Sequence, residues 1–525
     1  MTLTADTTPT ESQRAMRSES RAWWFGYTAV VVTGFAIAAV VQRSVGSPYL
    51  GLSLVLLLGI IVGWTVFPRA SLYATLALTA VSDQSTIAWF PFAKNLSSRE
   101  SISFVADQLT VSPLDLALLT GVAISMLRQF ATRRRLVAQN PIARPMWVFL
   151  AFVLYGFVRG ISGGGDLRVA VLVGRPLLYL FFTFVIAVNE LHEPRHRRFA
   201  FAAVVVGVVV QSILSIEFYT RLSLGDRETL ESFTEHGASI GQDLLIVFLI
   251  VLFLFKVRVK PLRWSVAIGA IPVVFVYFLG QRRAGIAALL IAGAAVAMML
   301  WWRERRRFFV VVPIVAILLA GYTGAFWNST SGIGFPAQAV KTIIAPSSAS
   351  EKDLSSDLYR QIEAYDLNYT IRTAPLTGYG FGRPFLRPVP LPDISVFELN
   401  AYHPHNSILW IWIKLGFFGF VTMFYLFARI LVIGIERTRE MATGVDFAVR
   451  LSSVLFVLMY AVYSYVDVSW DARNTVMLGL AAAIATAPVG QSGSRSEDAS
   501  PRSSALGRAD GESSDAATTS ASRSA

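Results

Sequence analysis

Residues 244–255 read Leu-Leu-Ile-Val-Phe-Leu-Ile-Val-Leu-Phe-Leu-Phe, an unbroken apolar run with no charge in it. A helix on the surface of a soluble protein buries one stripe and keeps the other face polar. A segment that is apolar on every face asks for an apolar solvent. Runs of the same kind occupy 29–41, 202–210 and 286–300. With its flanks, each approaches the roughly 20 residues that carry a helix across about 30 Å of hydrocarbon.

The whole composition agrees. Of 525 residues, 54% are hydrophobic and 15% charged, with a mean hydropathy of +0.54; soluble domains carry about 25% charged residues. The expected fold is an all-α polytopic membrane protein with about 14 transmembrane helices (range about 12–14). With no cysteine, disulfides, thiolate metal sites and cysteine nucleophiles are excluded. The net charge of +12 does not indicate nucleic acid, because the arginines gather at span ends, where they set topology.

The spans are read at 22–41, 49–67, 70–89, 111–127, 145–159, 170–189, 199–218, 238–255, 263–280, 284–302, 308–327, 405–433, 451–467 and 473–489. The third is the weakest, since Asp83 and Gln84 interrupt it. Basic clusters at 128–135, 195–198, 256–263, 303–307 and 436–450 follow alternate spans and so share one side, the cytoplasm. The organisation expected is a cytoplasmic segment at 1–21, transmembrane helices 1–11 within 22–327, a large extracytoplasmic loop at 328–404, transmembrane helices 12–14 within 405–489, and a disordered cytoplasmic tail at 490–525. No small-residue cleavage site follows a short apolar region near the N-terminus, so the first apolar stretch reads as a span. The protein is expected in the cytoplasmic (inner) membrane.

On the outer side lies the tight turn Gln281-Arg282-Arg283, against the positive-inside trend. Its arginines either snorkel to headgroups or face inward as an anion site. The outer loop carries a helical pattern, with Leu354, Leu358, Ile362, Tyr365 and Tyr369 on one face, Ser355 or Ser356 as cap and Pro375 as terminator. Arg360 and Glu363 sit beside the stripe, so Arg360 is either solvated, paired with Glu363, or directed at a ligand. Pro375-Leu-Thr-Gly378-Tyr-Gly380-Phe-Gly382 lacks the rest of a dinucleotide fingerprint and reads as a backbone turn able to approach something closely. His403-Pro404-His405-Asn406 then opens span twelve. At a helix N-terminus the dipole disfavours imidazolium, and a neutral His405 suits a general base; a structural histidine bonded to a loop carbonyl fits the pattern as well.

These motifs together resemble the O-antigen ligase and O-antigen polymerase superfamily. His405-Asn406, nine residues, then Gly416-Phe-Phe-Gly419 is similar to its H-N-x9-G-x-x-G signature, residues 375–382 to its P-L-x-G-x-G-x-G stretch, and Tyr359-Arg360 through Ala364 to its loop-helix arginine motif. Gly280-Gln-Arg282-Arg283-Ala284 resembles its outer S-R-G-A turn, Arg283 aligning with the arginine while Arg282 and Ala284 replace Ser and Gly. The likeness spans roughly residues 200–435. It implies a GT-C-like bundle that passes glycan from a polyprenyl-diphosphate carrier to an acceptor hydroxyl on a glycan, lipid or protein, as ligase or polymerase. Under it His405 is the base, Arg283 and Arg360 hold the diphosphate with Arg282 assisting, and the active site is extracytoplasmic. Asn406, His403, Gly378, Gly380 and Gly382 border the substrate. A diphosphate leaves readily, so cations matter more than a strong acid. No cofactor or metal is expected: there is no D-x-D motif, and the 42–48 loop has no carboxylate. Membrane lipids and polysaccharide-assembly proteins are the other partners expected. The competing readings are a transporter or flippase and a non-enzymatic scaffold. A transporter should show ionisable residues along mid-span, whereas Asp83, Glu217 and Asp467 all lie near span ends.

Overall fold

The computed structural model describes residues 50–83, 85–87, 92–99, 104–105, 110–223, 234–329, 332–345, 351–392 and 399–489. The expectations for 1–21, for the first span and for the tail at 490–525 lie outside them. Among the described residues the chain is all helical. In order come α1 (Leu50–Val66), α2 (Pro68–Val81), α3 (Pro113–Ala131), α4 (Ala143–Ser162), α5 (Leu167–Glu190), α6 (Pro194–Arg221), α7 (Ala238–Leu254) and α8 (Lys260–Gly280). There follow α9 (Arg283–Arg303), α10 (Arg305–Ala325), α11 (Phe335–Ile344), α12 (Glu351–Thr373), α13 (Ser407–Glu440), α14 (Val445–Val466) and α15 (Ala472–Ala485). Nine of the described helices are long and apolar enough to cross a membrane, and α7 and α15 are shorter apolar helices. The chain is a multi-pass membrane protein.

Every span expected beyond the first meets a helix. The third is short: α2 stops at Val81, and Asp83 beyond it is buried, accepting the N–H groups of Ser85 and Thr86 at 3.0 and 3.1 Å and the Gln211 amide at 3.2 Å. Helix α14 lies at the centre, packed by α7, α9, α13 and α15, while α10 buries none of its side chains. Lipid offers apolar groups as good a surround as protein does, so helices associate through close packing and small residues. A methyl on Gly479 would sit 2.6 Å from the Leu180 carbonyl oxygen, and one on Gly207 2.6 Å from that of Ala77.

The basic clusters meet at one end of the bundle. Arg198 forks onto Asp446 with two bonds of 2.6 Å, and Arg303 donates to the Met441 carbonyl at 2.5 Å. Arg307 reaches the Leu254 carbonyl at 3.1 Å, and Arg128 that of Thr65 at 2.6 Å. The turn at 281–283 and the His403–Asn406 segment belong to the opposite end.

One feature of the 328–404 region departs from the sequence reading. Helix α12 begins at Glu351, so Ser355 and Ser356 lie inside it and neither is its cap. Its apolar stripe also faces outward: Leu354, Leu358, Tyr365 and Tyr369 are exposed, whereas Glu363, Asp366, Leu367 and Thr370 are buried. The inward face is mixed: Glu363, Asp366 and Thr370 are its polar part, while Leu367 and Ile371 pack with Phe385 and Ile413.

Helix α13 is two helices joined at Gly416, whose φ of 71° and ψ of −179° no other residue adopts readily. The break lets residues 375–382 enter the bundle. The Phe417 N–H donates to the Pro375 carbonyl at 3.0 Å, Tyr379 N–H to Ile413 at 2.6 Å and Phe381 N–H to Gly156 at 3.0 Å. Phe381 is fully buried, against Phe157 and Trp410. A methyl on Gly160 would lie 1.9 Å from the Phe381 carbonyl oxygen, so α4 and this segment touch backbone to backbone.

Candidate active site

The site is assembled where α13 begins. Asn406 caps α13, its side-chain oxygen accepting the Leu409 N–H at 3.0 Å. Ser407 holds the start of that helix to the loop after α14, donating to the Asp467 carbonyl at 3.1 Å and accepting the Ser469 N–H at 3.0 Å. His405 is thus fixed at its backbone. Glu363 of α12 completes the hold: Oε2 accepts the His405 backbone N–H at 3.0 Å, and Oε1 lies 3.2 Å from Nδ1. A carboxylate only accepts, so Nδ1 carries the proton and Nε2 is the basic nitrogen. No described residue hydrogen-bonds to Nε2. The Tyr359 ring stands edge-on to the imidazole at 5.5 Å.

Glu363, more than the helix terminus, sets the basicity of His405. Burial does oppose its charge, but the hydrogen bond and charge of Glu363, with Asp467 behind it, outweigh burial and Arg360 and raise its pKa above the usual histidine value. The terminal N–H groups are already served by Asn406, which removes part of the dipole's effect. The histidine kept neutral is His403. Burial, with Lys414, His405 and His236 adding to it, pushes its pKa down to about 3, and its ring lies 5.0 Å from that of Trp410.

The three arginines take different places. Arg283, at the start of α9, pairs with Asp357 of α12 at 3.0 Å and ties the loop helix down. Arg282 turns the other way, its Nη1 3.1 Å from His236 Nδ1 and its Nη2 donating to the Thr234 carbonyl at 3.2 Å. The turn that divides them depends on Gln281 in the left-handed region at φ 47°. Arg360 lies one turn beyond Asp357 on α12, half-buried and near enough to His405 to weigh on its charge. It forms no hydrogen bond or ion pair among the described residues; its suspected partner Glu363 is committed to His405.

Gly378, Gly380 and Gly382 all have positive φ and are buried. The close approaches they permit are to the protein itself: methyls there would stand 2.6 Å from Gly416 N, 2.1 Å from Gly160 N and 2.3 Å from the Asp166 carbonyl oxygen. Sequence reasoning missed Glu363 as the partner of His405, although its place three residues after Arg360 put both on one face. It also missed His236, which belongs to no recognised motif and whose ring is 5.9 Å from that of His405.

Residues 267–424 match the family model described as O-Antigen ligase. This part of the chain is an O-antigen ligase family domain. It contains Arg282, Arg283, Arg360, Glu363 and His405, the residues that converge here. The O-antigen ligase match places the chain among ligase- and polymerase-type glycan transferases of the cell envelope, which use lipid-linked glycan donors and glycan acceptors. No curated protein matches the chain.

Proposed function

We propose that the protein transfers glycan from a polyprenyl-diphosphate carrier to an acceptor hydroxyl at the outer face of the cytoplasmic membrane, with His405 as base. The observation that carries this reading is Arg360: a guanidinium without a protein partner among the described residues, beside an imidazole whose Nδ1 is held by a carboxylate. A cation kept out of every available ion pair suits a ligand that brings its own negative charge, and guanidinium is shaped for phosphate oxygens.

In the proposed reaction, Arg360 and Arg283 hold the diphosphate, Arg283 by sharing itself with Asp357. Arg282 supports them from the far side of the turn. The acceptor hydroxyl gives its proton to His405 Nε2 as its oxygen attacks the anomeric carbon from the face opposite the diphosphate, so configuration inverts. Glu363 orients His405 and stabilises the imidazolium that forms. Asn406 acts by capping α13 and thereby placing His405, and Gly378, Gly380 and Gly382 shape the floor of the site. Developing charge is met by arginine in this scheme, with no step assigned to a metal. The basic layer at the other end of the bundle supports the sidedness, since such residues stay on the cytoplasmic side.

The testing experiment uses cells. In a His405→Ala strain, glycan should accumulate on the carrier lipid at the outer face with carrier flipping unchanged and polymer output lost. Loss of flipping instead would make the protein a transporter, and normal polymer output would overturn the base assignment.

A further inference from the structure

A second histidine–carboxylate pair stands against the first. His236, in the segment entering α7, places Nδ1 2.8 Å from Asp467 Oδ1. Asp467 follows α14 and is enclosed by protein, and its Oδ1 also takes the Val468 N–H at 2.8 Å. Burial alone would neutralise this carboxyl, but the charges of His236, Arg282 and His405 hold it well below the usual carboxylate range. A fixed buried anion of this kind favours a cation at its side.

The proton on His236 follows from its neighbours. Nδ1 lies near both Asp467 and Arg282, and one ring nitrogen cannot accept from a guanidinium while donating to a carboxylate. The carboxylate is the nearer and the charged acceptor, so Nδ1–H points at Asp467. Nε2 has no hydrogen bond to any described residue, on a side chain 42% exposed.

The backbone here is fastened as a catalytic support needs to be. Tyr463 of α14 donates to the His236 carbonyl. Arg473 of α15 bridges Glu235 at 3.2 Å and the Ser82 carbonyl at 3.0 Å. Gly237 has no room for a side chain, since a methyl there would meet Asp471 Oδ2 at 2.1 Å.

We propose that His236 is a substrate-contacting residue: as an imidazolium backed by Asp467, its Nε2–H holds the diphosphate oxygen that departs from the anomeric carbon, while His405 receives the acceptor's proton. This rests on the glycan-transfer reading above. The acceptor O–H bond breaks and its proton goes to His405 Nε2, while the acceptor oxygen forms the new bond to the anomeric carbon. The anomeric C–O bond breaks with its electron pair on the diphosphate, and the His236 proton stays on nitrogen as a hydrogen-bond donor. The two rings stand 5.9 Å apart, inclined at 64°, close enough to serve one substrate.

The test is transfer by the purified full-length protein from a defined polyprenyl-diphosphate glycan. His236→Ala should lower kcat about 10²-fold with little change in KM, as loss of one oxyanion donor does. His236→Gln keeps an N–H donor, so it should recover much of that loss. Wild-type kcat in both His236 variants, with His405→Ala inactive, would overturn this inference alone. No transfer by the wild type would overturn the glycan-transfer reading with it.

Discussion

Glu363 reaches His405 through both carboxylate oxygens, Oε2 taking the backbone N–H at 3.0 Å and Oε1 the ring Nδ1–H at 3.2 Å. One residue of the loop helix therefore fixes the position, the tautomer and the basicity of a histidine 42 residues away. Glu363 shares the inward face of α12 with Leu367 and Ile371, which pack against Phe385 and Ile413 and seat the helix.

Replacement of that carboxylate should be visible in a pH profile. Glu363 raises the His405 pKa, and a base works only when unprotonated, so wild-type transfer should rise with pH through a value above that of free histidine. In Glu363→Gln the anionic partner is lost, the acid limb should move to lower pH, and the plateau rate should fall about 10- to 10²-fold. Initial rates of carrier release across pH measure both.

Arg360 offers a cleaner separation of binding from folding. It makes no hydrogen bond or ion pair among the described residues, so Arg360→Lys should leave the melting temperature unchanged while lowering kcat/KM by about 10-fold or more, because a point charge cannot fork onto two phosphate oxygens. Arg283→Lys should also lower thermal stability, since the bond to Asp357 ties the loop helix down. Thermal melts in detergent beside kinetics distinguish the two.

The sequence went furthest where one physical demand dominates. Long runs without charge forced helices across lipid, and every such span within the described residues is a helix. The Gly378–Gly382 motif was legible as a place of close approach, but not what it approaches: only the fold shows Gly160 and Gly416 on the other side. His405 was marked by its motif, yet the partner that sets its tautomer and basicity was not, because Glu363 lies on another element. His236 and Asp467 carried no local signal, being far apart in the chain and joined only by the packing of α7 on α14.

The glycine contacts make a stability prediction. Gly416→Ala would put a methyl 2.1 Å from the Leu376 carbonyl oxygen and force a side chain into a glycine-only conformation. Strain and overpacking together should cost about 2–5 kcal/mol. The expected readout is a large loss of folded protein in detergent, with any surviving fraction impaired because the α13 break positions His405.

His403 should confer acid sensitivity on the fold rather than on the chemistry. Its pKa falls to about 3 in the folded state, so between the ordinary histidine value and that point the unfolded chain binds the extra proton and stability declines as pH falls. His403→Phe, filling the same site against Trp410, should flatten that decline and leave transfer near the wild-type rate. Melting temperature followed from neutral to acid pH checks it.

The most direct test of the account is a single-turnover reaction of purified His405→Ala with a polyprenyl-diphosphate glycan and an acceptor, beside the wild type at equal folded concentration. The expected result is donor still bound and no carrier diphosphate released by the variant, with inverted product from the wild type. Release at the wild-type rate from His405→Ala would contradict the assignment of the base and the mechanism built on it.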